Sequence, residues 1–253
     1  MSLSRFALKA VACGCLAAAF PGLVRAGGTY ATHGGEYAVT GNWPGDQVHP
    51  QIALGPSGGY IVWEDNITDG DGIGISAMKL DSSLSGSFAP FRVNSNGTND
   101  QEHAQVATLK DGGAAFVWQS GKLSYQHIYA RFLSASNTWQ GADIQVNASA
   151  NYYQQDPAAA TLSNGNVVVV WSSVNQQTSN SLQDVYGQLF SPTGQKIGGE
   201  FPVNQYVTYN QRTPAVSPLA NGGFVVAWVS ELQRSLASPS TNQLLLAAQL
   251  AGP

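Results

Sequence analysis

The sequence predicts an all-β fold, a β-propeller of four repeats of about 55 residues. Three observations predict it. A Gly-containing turn, an apolar run and a tryptophan recur four times, ending at Trp63, Trp118, Trp171 and Trp228, spaced 55, 53 and 57 residues apart. A fixed period of this size marks a propeller or similar array. Each apolar run (Tyr60–Trp63, Ala114–Trp118, Val167–Trp171, Phe224–Trp228) is continuous rather than alternating, as in strands buried on both faces. No stretch keeps a helical period over three turns.

The units, about 46–99, 100–153, 154–209 and 210–253, repeat one order of elements. A first strand is expected from Gln47, Gln101, Pro157 and Pro214; Gln47, Gln101, Gln154 and Gln211 align near its start, with Pro50, Ala104, Pro157 and Pro214 three residues on. It ends at Leu54, Leu109, Leu162 and Leu219, before the turn and the Trp strand. Third strands are expected at Ile73–Leu80, Ile128–Leu133, Val185–Phe190 and Leu244–Leu250. Fourth strands are expected at Phe88–Val93, Asp143–Asn147 and Glu200–Asn204, closing on Val93-Asn94, Val146-Asn147 and Val203-Asn204. The fourth unit lacks one. A short strand within residues 36–41 stands where an outer strand would, so pairing beside Leu244–Leu250 would close a four-blade ring and remove its exposed edges. A fragment of a larger ring, or a dimeric one, would show the same phase.

Residues 1–26 read as a signal peptide: Arg5 and Lys9, an apolar stretch Ala10–Phe20, then Val24-Arg25-Ala26. That stretch is too short to span a bilayer. Lipidation at Cys13 or Cys15 is the competing reading, but the residues before them are poor matches to a lipoprotein pattern. Cleavage leaves a cysteine-free chain of 227 residues, with 8 basic against 15 acidic residues and a net charge of −7. The expected location is therefore outside the cell or in its envelope. The charge disfavours nucleic acid and anionic membrane as partners. The polar, weakly charged surface suits a glycan or a cell-surface protein.

Gln-x-x-Pro, Leu-x-x-Gly-Gly before the Trp strand, and the closing Val-Asn together resemble the propeller-type repeat of large bacterial secreted and cell-surface proteins. The resemblance covers nearly all of the mature chain. It implies the fold but no assigned activity. The Gly-His…Trp-Asp signature of WD repeats and the Asp box of sialidase-like propellers are absent.

Candidate sites lie mostly outside the repeat. Trp43 and Trp139 sit in turn-rich sequence, where aromatics serve as ligand contacts. The ring Gln47, Gln101, Gln154 and Gln211 offers a polar channel mouth, or else satisfies backbone groups between blades. Asp65, Asn66, Asp69 and Asp71 form an oxygen-rich, Gly-containing loop of a kind that suits calcium, against the plainer reading of an Asp-Gly hairpin. Calcium is the one cofactor considered. His49, His103, Asp156 and Thr213 share a repeat position but not a metal motif. No nucleophile elbow, His-Glu-x-x-His or phosphate loop is present. Carboxylates drawn from different blades would leave no local motif, and Glu64, Asp65 and Glu102 are the acids of first interest. The leading expectation is a non-catalytic binding or structural module. The alternative is a propeller-fold carbohydrate-active enzyme of glycosidase or lyase type.

Overall fold

Fifteen strands are described, in four antiparallel meanders. The first sheet is β1 (Gln47–Gly55), β2 (Gly58–Asp65), β3 (Gly74–Leu80) and β4 (Phe91–Arg92). The second is β5 (Gln101–Thr108), β6 (Ala114–Ser120), β7 (His127–Leu133) and β8 (Ile144–Gln145). The third is β9 (Gln154–Thr161), β10 (Val167–Val174), β11 (Gln183–Phe190) and β12 (Lys196–Pro202). The fourth has three strands, β13 (Gln211–Pro218), β14 (Phe224–Glu231) and β15 (Gln243–Leu250). This computed structural model describes residues 36, 38–84, 88–148, 153–177, 181–231 and 243–250, the last for its backbone and two side chains. Among these residues there is no helix, and none that is long and apolar enough to cross a membrane. The signal-peptide reading, with Cys13 and Cys15, lies outside the described residues.

The repeat positions explain the geometry. Before the second, third and fourth Trp strands, the turn glycines Gly112, Gly165 and Gly222 hold φ of 92–93°, a conformation that costs an L side chain energy. Their N–H groups donate to the carbonyls of Leu109, Leu162 and Leu219, the residues directly after the first strands. The four repeated tryptophans are all buried. Trp118 stacks on its cross-strand partner Tyr129, and Trp171 on Tyr186, with centroids 6.3 Å apart in each pair. The Val-Asn pair ends the fourth strand by extending the ladder with a side chain. Val93 donates to the Ile75 carbonyl, and the Asn94 Oδ1 then accepts the Ile75 N–H at 2.9 Å. Asn147 and Asn204 do the same for Ile128 and Val185.

Packing between sheets supplies the core. One cluster joins sheets one and two through Tyr60, Val62, Ala114, Phe116 and Trp118. A second joins two and three through Val117, Phe132, Val169 and Trp171, and a third joins three and four through Val168, Val170, Phe224 and Trp228. The first strands pack in series, β1 on β5, β5 on β9 and β9 on β13, around a channel of about 870 Å³. No comparable packing returns from β13 to β1.

The closing strand expected within residues 36–41 does not form. Ala38–Gly41 is a bend, because Gly41, at φ 60°, turns the chain and donates back to Ala38 at 3.4 Å, leaving no extended run to pair. Tyr37 lies outside the described residues. Val39 and Trp43 instead cover the free face of sheet one against Trp63, Met78 and Leu80. The fourth strand of unit one is also shorter than expected, since Pro90 has no N–H to donate to a ladder.

Candidate functional site

The channel mouth is built by a bulge repeated in all four first strands. Register slips by one residue between Val48 and Gln51, Glu102 and Gln105, Gln155 and Ala158, and Arg212 and Ala215. The bulged residues are His49, His103, Asp156 and Thr213, with φ of 50°, 56°, 53° and 54°. An extra residue in one strand leaves its own N–H outside the ladder and re-aims its side chain. All four line one cavity of about 460 Å³, at the end where the first strands begin.

The freed N–H groups are taken by the preceding blade. His103 donates its backbone N–H to Glu64 Oε1 at 2.7 Å, Asp156 to Gln119 Oε1 at 3.1 Å, and Thr213 to Ser172 Oγ at 3.0 Å. The acceptors are the residues directly after Trp63, Trp118 and Trp171. Of these only Glu64 stands out in the sequence by its charge; the repeat position itself is also legible there, since Glu, Gln and Ser follow three of the tryptophans and Val229 follows the fourth.

Two imidazoles are each held on a carboxylate. His49 Nδ1 lies 2.8 Å from Glu64 Oε2, and His103 Nδ1 lies 3.1 Å from Asp156 Oδ1. Glu64 is buried, with both oxygens engaged, whereas His49 and His103 are well exposed. The hydrogen bond to Asp156 raises the His103 pKa above its ordinary value. Burial works against this, and the nearby charges of Asp156, Glu64 and Glu102 add to it. Glu102 itself accepts from Gln119 and Gln126 at 3.3 and 3.4 Å, behind the mouth. The mouth therefore carries two imidazoles, each with its Nδ1 on a carboxylate.

The remaining predicted positions fall elsewhere. The glutamines do not line the channel. Gln154 and Gln211 are buried and accept the indole N–H of Trp171 and Trp228 at 2.7 and 3.3 Å. Gln101 accepts from Asn94 at 2.6 Å and donates to the Thr98 and Asn99 carbonyls. Gln47 turns to the carbonyls of Trp43, Pro44 and Gly45. Trp43 packs on sheet one, and Trp139 sits between sheets one and two at the rim.

The acidic loop does not converge on a cation. Asp65 is buried and caps its own loop, accepting the N–H of Ile67 and Thr68 and the Thr68 hydroxyl. Asn66 pairs with Asp46, Asp69 with Asn94 and the Asp71 N–H, and Asp71 with the Asn99 N–H. Short Asp and Asn side chains reach backbone donors two or three residues away more readily than a shared centre. Among the described residues no three His, Cys, Asp or Glu side chains form a metal-holding group.

No protein-family model and no curated protein matches the chain. Solved structures do. An α-L-arabinanase of Penicillium chrysogenum, solved with arabinobiose, is 16% identical with a TM-score of 0.53, covering 82% of this chain and 63% of that one. A thermostable family-43 glycoside hydrolase (14% identity, TM-score 0.49) covers 82% and 72%, and an endo-arabinase of Bacteroides thetaiotaomicron (13%, 0.48) covers 81% and 75%. The fold is that of a β-propeller. The arabinanase also overturns the expectation of a non-catalytic module, and with it the leaning against an enzyme: a solved chain of this architecture is a glycoside-cleaving enzyme. Missing local motifs carry little weight in a fold whose site is assembled from separate blades.

Proposed function

We propose that this chain is a propeller-fold glycosidase that works at the channel mouth. The observation carrying the proposal is the pair of carboxylate-held imidazoles, His49 on Glu64 and His103 on Asp156, around one cavity. Glycoside hydrolysis needs one group to protonate the leaving oxygen and another to activate water. The raised His103 pKa favours its protonated form, so Nε2–H is the donor to the glycosidic oxygen. His49, backed by buried Glu64, takes the proton of the attacking water. Glu64 and Asp156 are positioning residues: each fixes a tautomer, and Glu64 also holds the His103 backbone. The structurally similar arabinanase was solved with arabinobiose, and a short, neutral pentose oligosaccharide is the substrate class proposed here.

Export to the envelope or the exterior belongs to the same reading and rests on residues 1–26. So does the kinship with bacterial secreted and cell-surface repeats, which rests on the Gln-x-x-Pro and Val-Asn pattern.

The test is release of reducing ends from arabinan, arabino-oligosaccharides and xylan by the purified chain. His103→Ala should lower kcat by about 10²–10⁴-fold, and Asp156→Asn should move the alkaline limb of the pH profile downward. No hydrolysis of any of these between about pH 4 and 9, or full activity in His103→Ala, would overturn the proposal.

A further inference from the structure

A separate cavity, of about 340 Å³, lies on the outer rim between the first two sheets, away from the channel. Phe88, Phe91 and Trp139 supply its aromatic wall, and Lys79 its charge. Its parts are held in place. Trp139 bridges to Leu133, and its ring makes edge contacts with Phe91 and Phe116 at 5.9 Å each. The Arg131 guanidinium lies 4.1 Å from the Trp139 ring centroid. Arg131 in turn donates to the Val93 carbonyl at 2.7 Å, so the indole is clamped rather than free to swing. Phe88 is 40% exposed.

Lys79 is the unusual member. Its ammonium stands 5.8 Å from the Tyr60 centroid and 5.9 Å from that of Phe88. Its hydrogen bonds run to the Ala135 carbonyl and Asn137 Oδ1, both at 3.4 Å, near the limit of such bonds. Among the described residues no carboxylate pairs with it, although acids outnumber bases in the chain. An ammonium without a counter-ion, set beside an aromatic wall, is complementary to a ligand with one anionic group and one apolar face.

We infer that this rim cavity is a binding subsite for an acidic sugar residue. The uronate carboxylate pairs with Lys79 Nζ, and the C–H face of the ring lies on Phe88 and Trp139. The choice of a saccharide rests on the proposed glycosidase reading; the anion and the aromatic contact rest on the cavity alone. The subsite would hold an acidic branch or neighbouring chain while the mouth acts on neutral linkages.

Binding is tested by calorimetric titration of the intact chain with methyl glucuronoside and methyl glucoside, at low and high salt, apart from any turnover. The acidic sugar should bind at least about ten-fold more tightly than the neutral one, with the preference shrinking in high salt. Lys79→Met should abolish the preference and Phe88→Ala should weaken both sugars, while Lys79→Arg should retain it. Equal affinity for the two sugars, absence of binding at millimolar concentration, or an unchanged preference in Lys79→Met would overturn the inference. Hydrolysis assays on Lys79→Met keep the two proposals apart: activity should persist, and binding can succeed even if no glycosidase activity is found.

Discussion

Gln154 and Trp171 show what a repeated residue does here. Both are fully buried, and the Gln154 Oε1 accepts the indole N–H at 2.7 Å. Gln154→Leu removes that acceptor and leaves a buried donor unpaired, at a cost of about 1–3 kcal/mol. Thermal melts should show a clear drop for Gln154→Leu and a smaller one for Gln47→Leu, whose carbonyl partners can turn to water. His103 gives a pH prediction. Its folded-state pKa is raised, so its contribution to stability is fully present below the unfolded value near 6.5 and is lost as pH rises through the higher folded value. Melting temperature followed across that window should fall less steeply in Asp156→Asn, which removes the main cause of the shift. His127 runs the other way. Burial lowers its pKa, so its contribution is present above the unfolded value and disappears as pH falls through the folded one.

At the scale of the element, the bulge decides most. Four non-glycine residues at one repeat position hold positive φ, a conformation costing an L residue of this kind about 1 kcal/mol or more. Thr213 is β-branched and the least suited to it. Thr213→Asn, a residue that tolerates the left-handed region, should raise the unfolding free energy by up to about 1 kcal/mol in urea titration. The same change at His103 or Asp156 should not bring a free gain, because those two side chains pair with each other across the mouth. The strands themselves were readable. Continuous apolar runs located β2, β6, β10 and β14; the first strands fit closely in units one and two, while β9 and β13 begin three residues before the expected Pro157 and Pro214. The bulges were not readable, because a slip of one residue appears only when a strand is laid beside its partner.

Across the whole molecule, the packing of first strand on first strand runs from β1 to β13 and does not return. Three seams carry a side-chain acceptor for the bulged N–H of the next blade, and the fourth unit offers Val229, which cannot accept one. β1 is also the most exposed of the first strands, with Ile52 56% and Leu54 50% exposed. Hydrogen exchange should therefore reach β1 amides well before those of β10, whose side chains are almost wholly buried. Val169→Ala, in the seam between sheets two and three, should cost about 2–4 kcal/mol, and Ile52→Thr well under 1. Protection of β1 equal to that of β10 would mean that β1 is covered by contacts beyond those to β2 and β5.

The sequence alone determined the class, the period, the strand order and the buried role of the four tryptophans. All follow from local rules, since apolar runs must be buried and glycines permit the turns between them. It could not decide the site. Glu64 and Asp156 belong to different blades and meet only through His103, which a bulge turns inward. The glutamines and the acidic loop, which looked functional, were absorbed by nearby unpaired donors and acceptors. Only the tertiary structure could make that distinction, because it depends on which polar group reaches which partner once the sheets have packed.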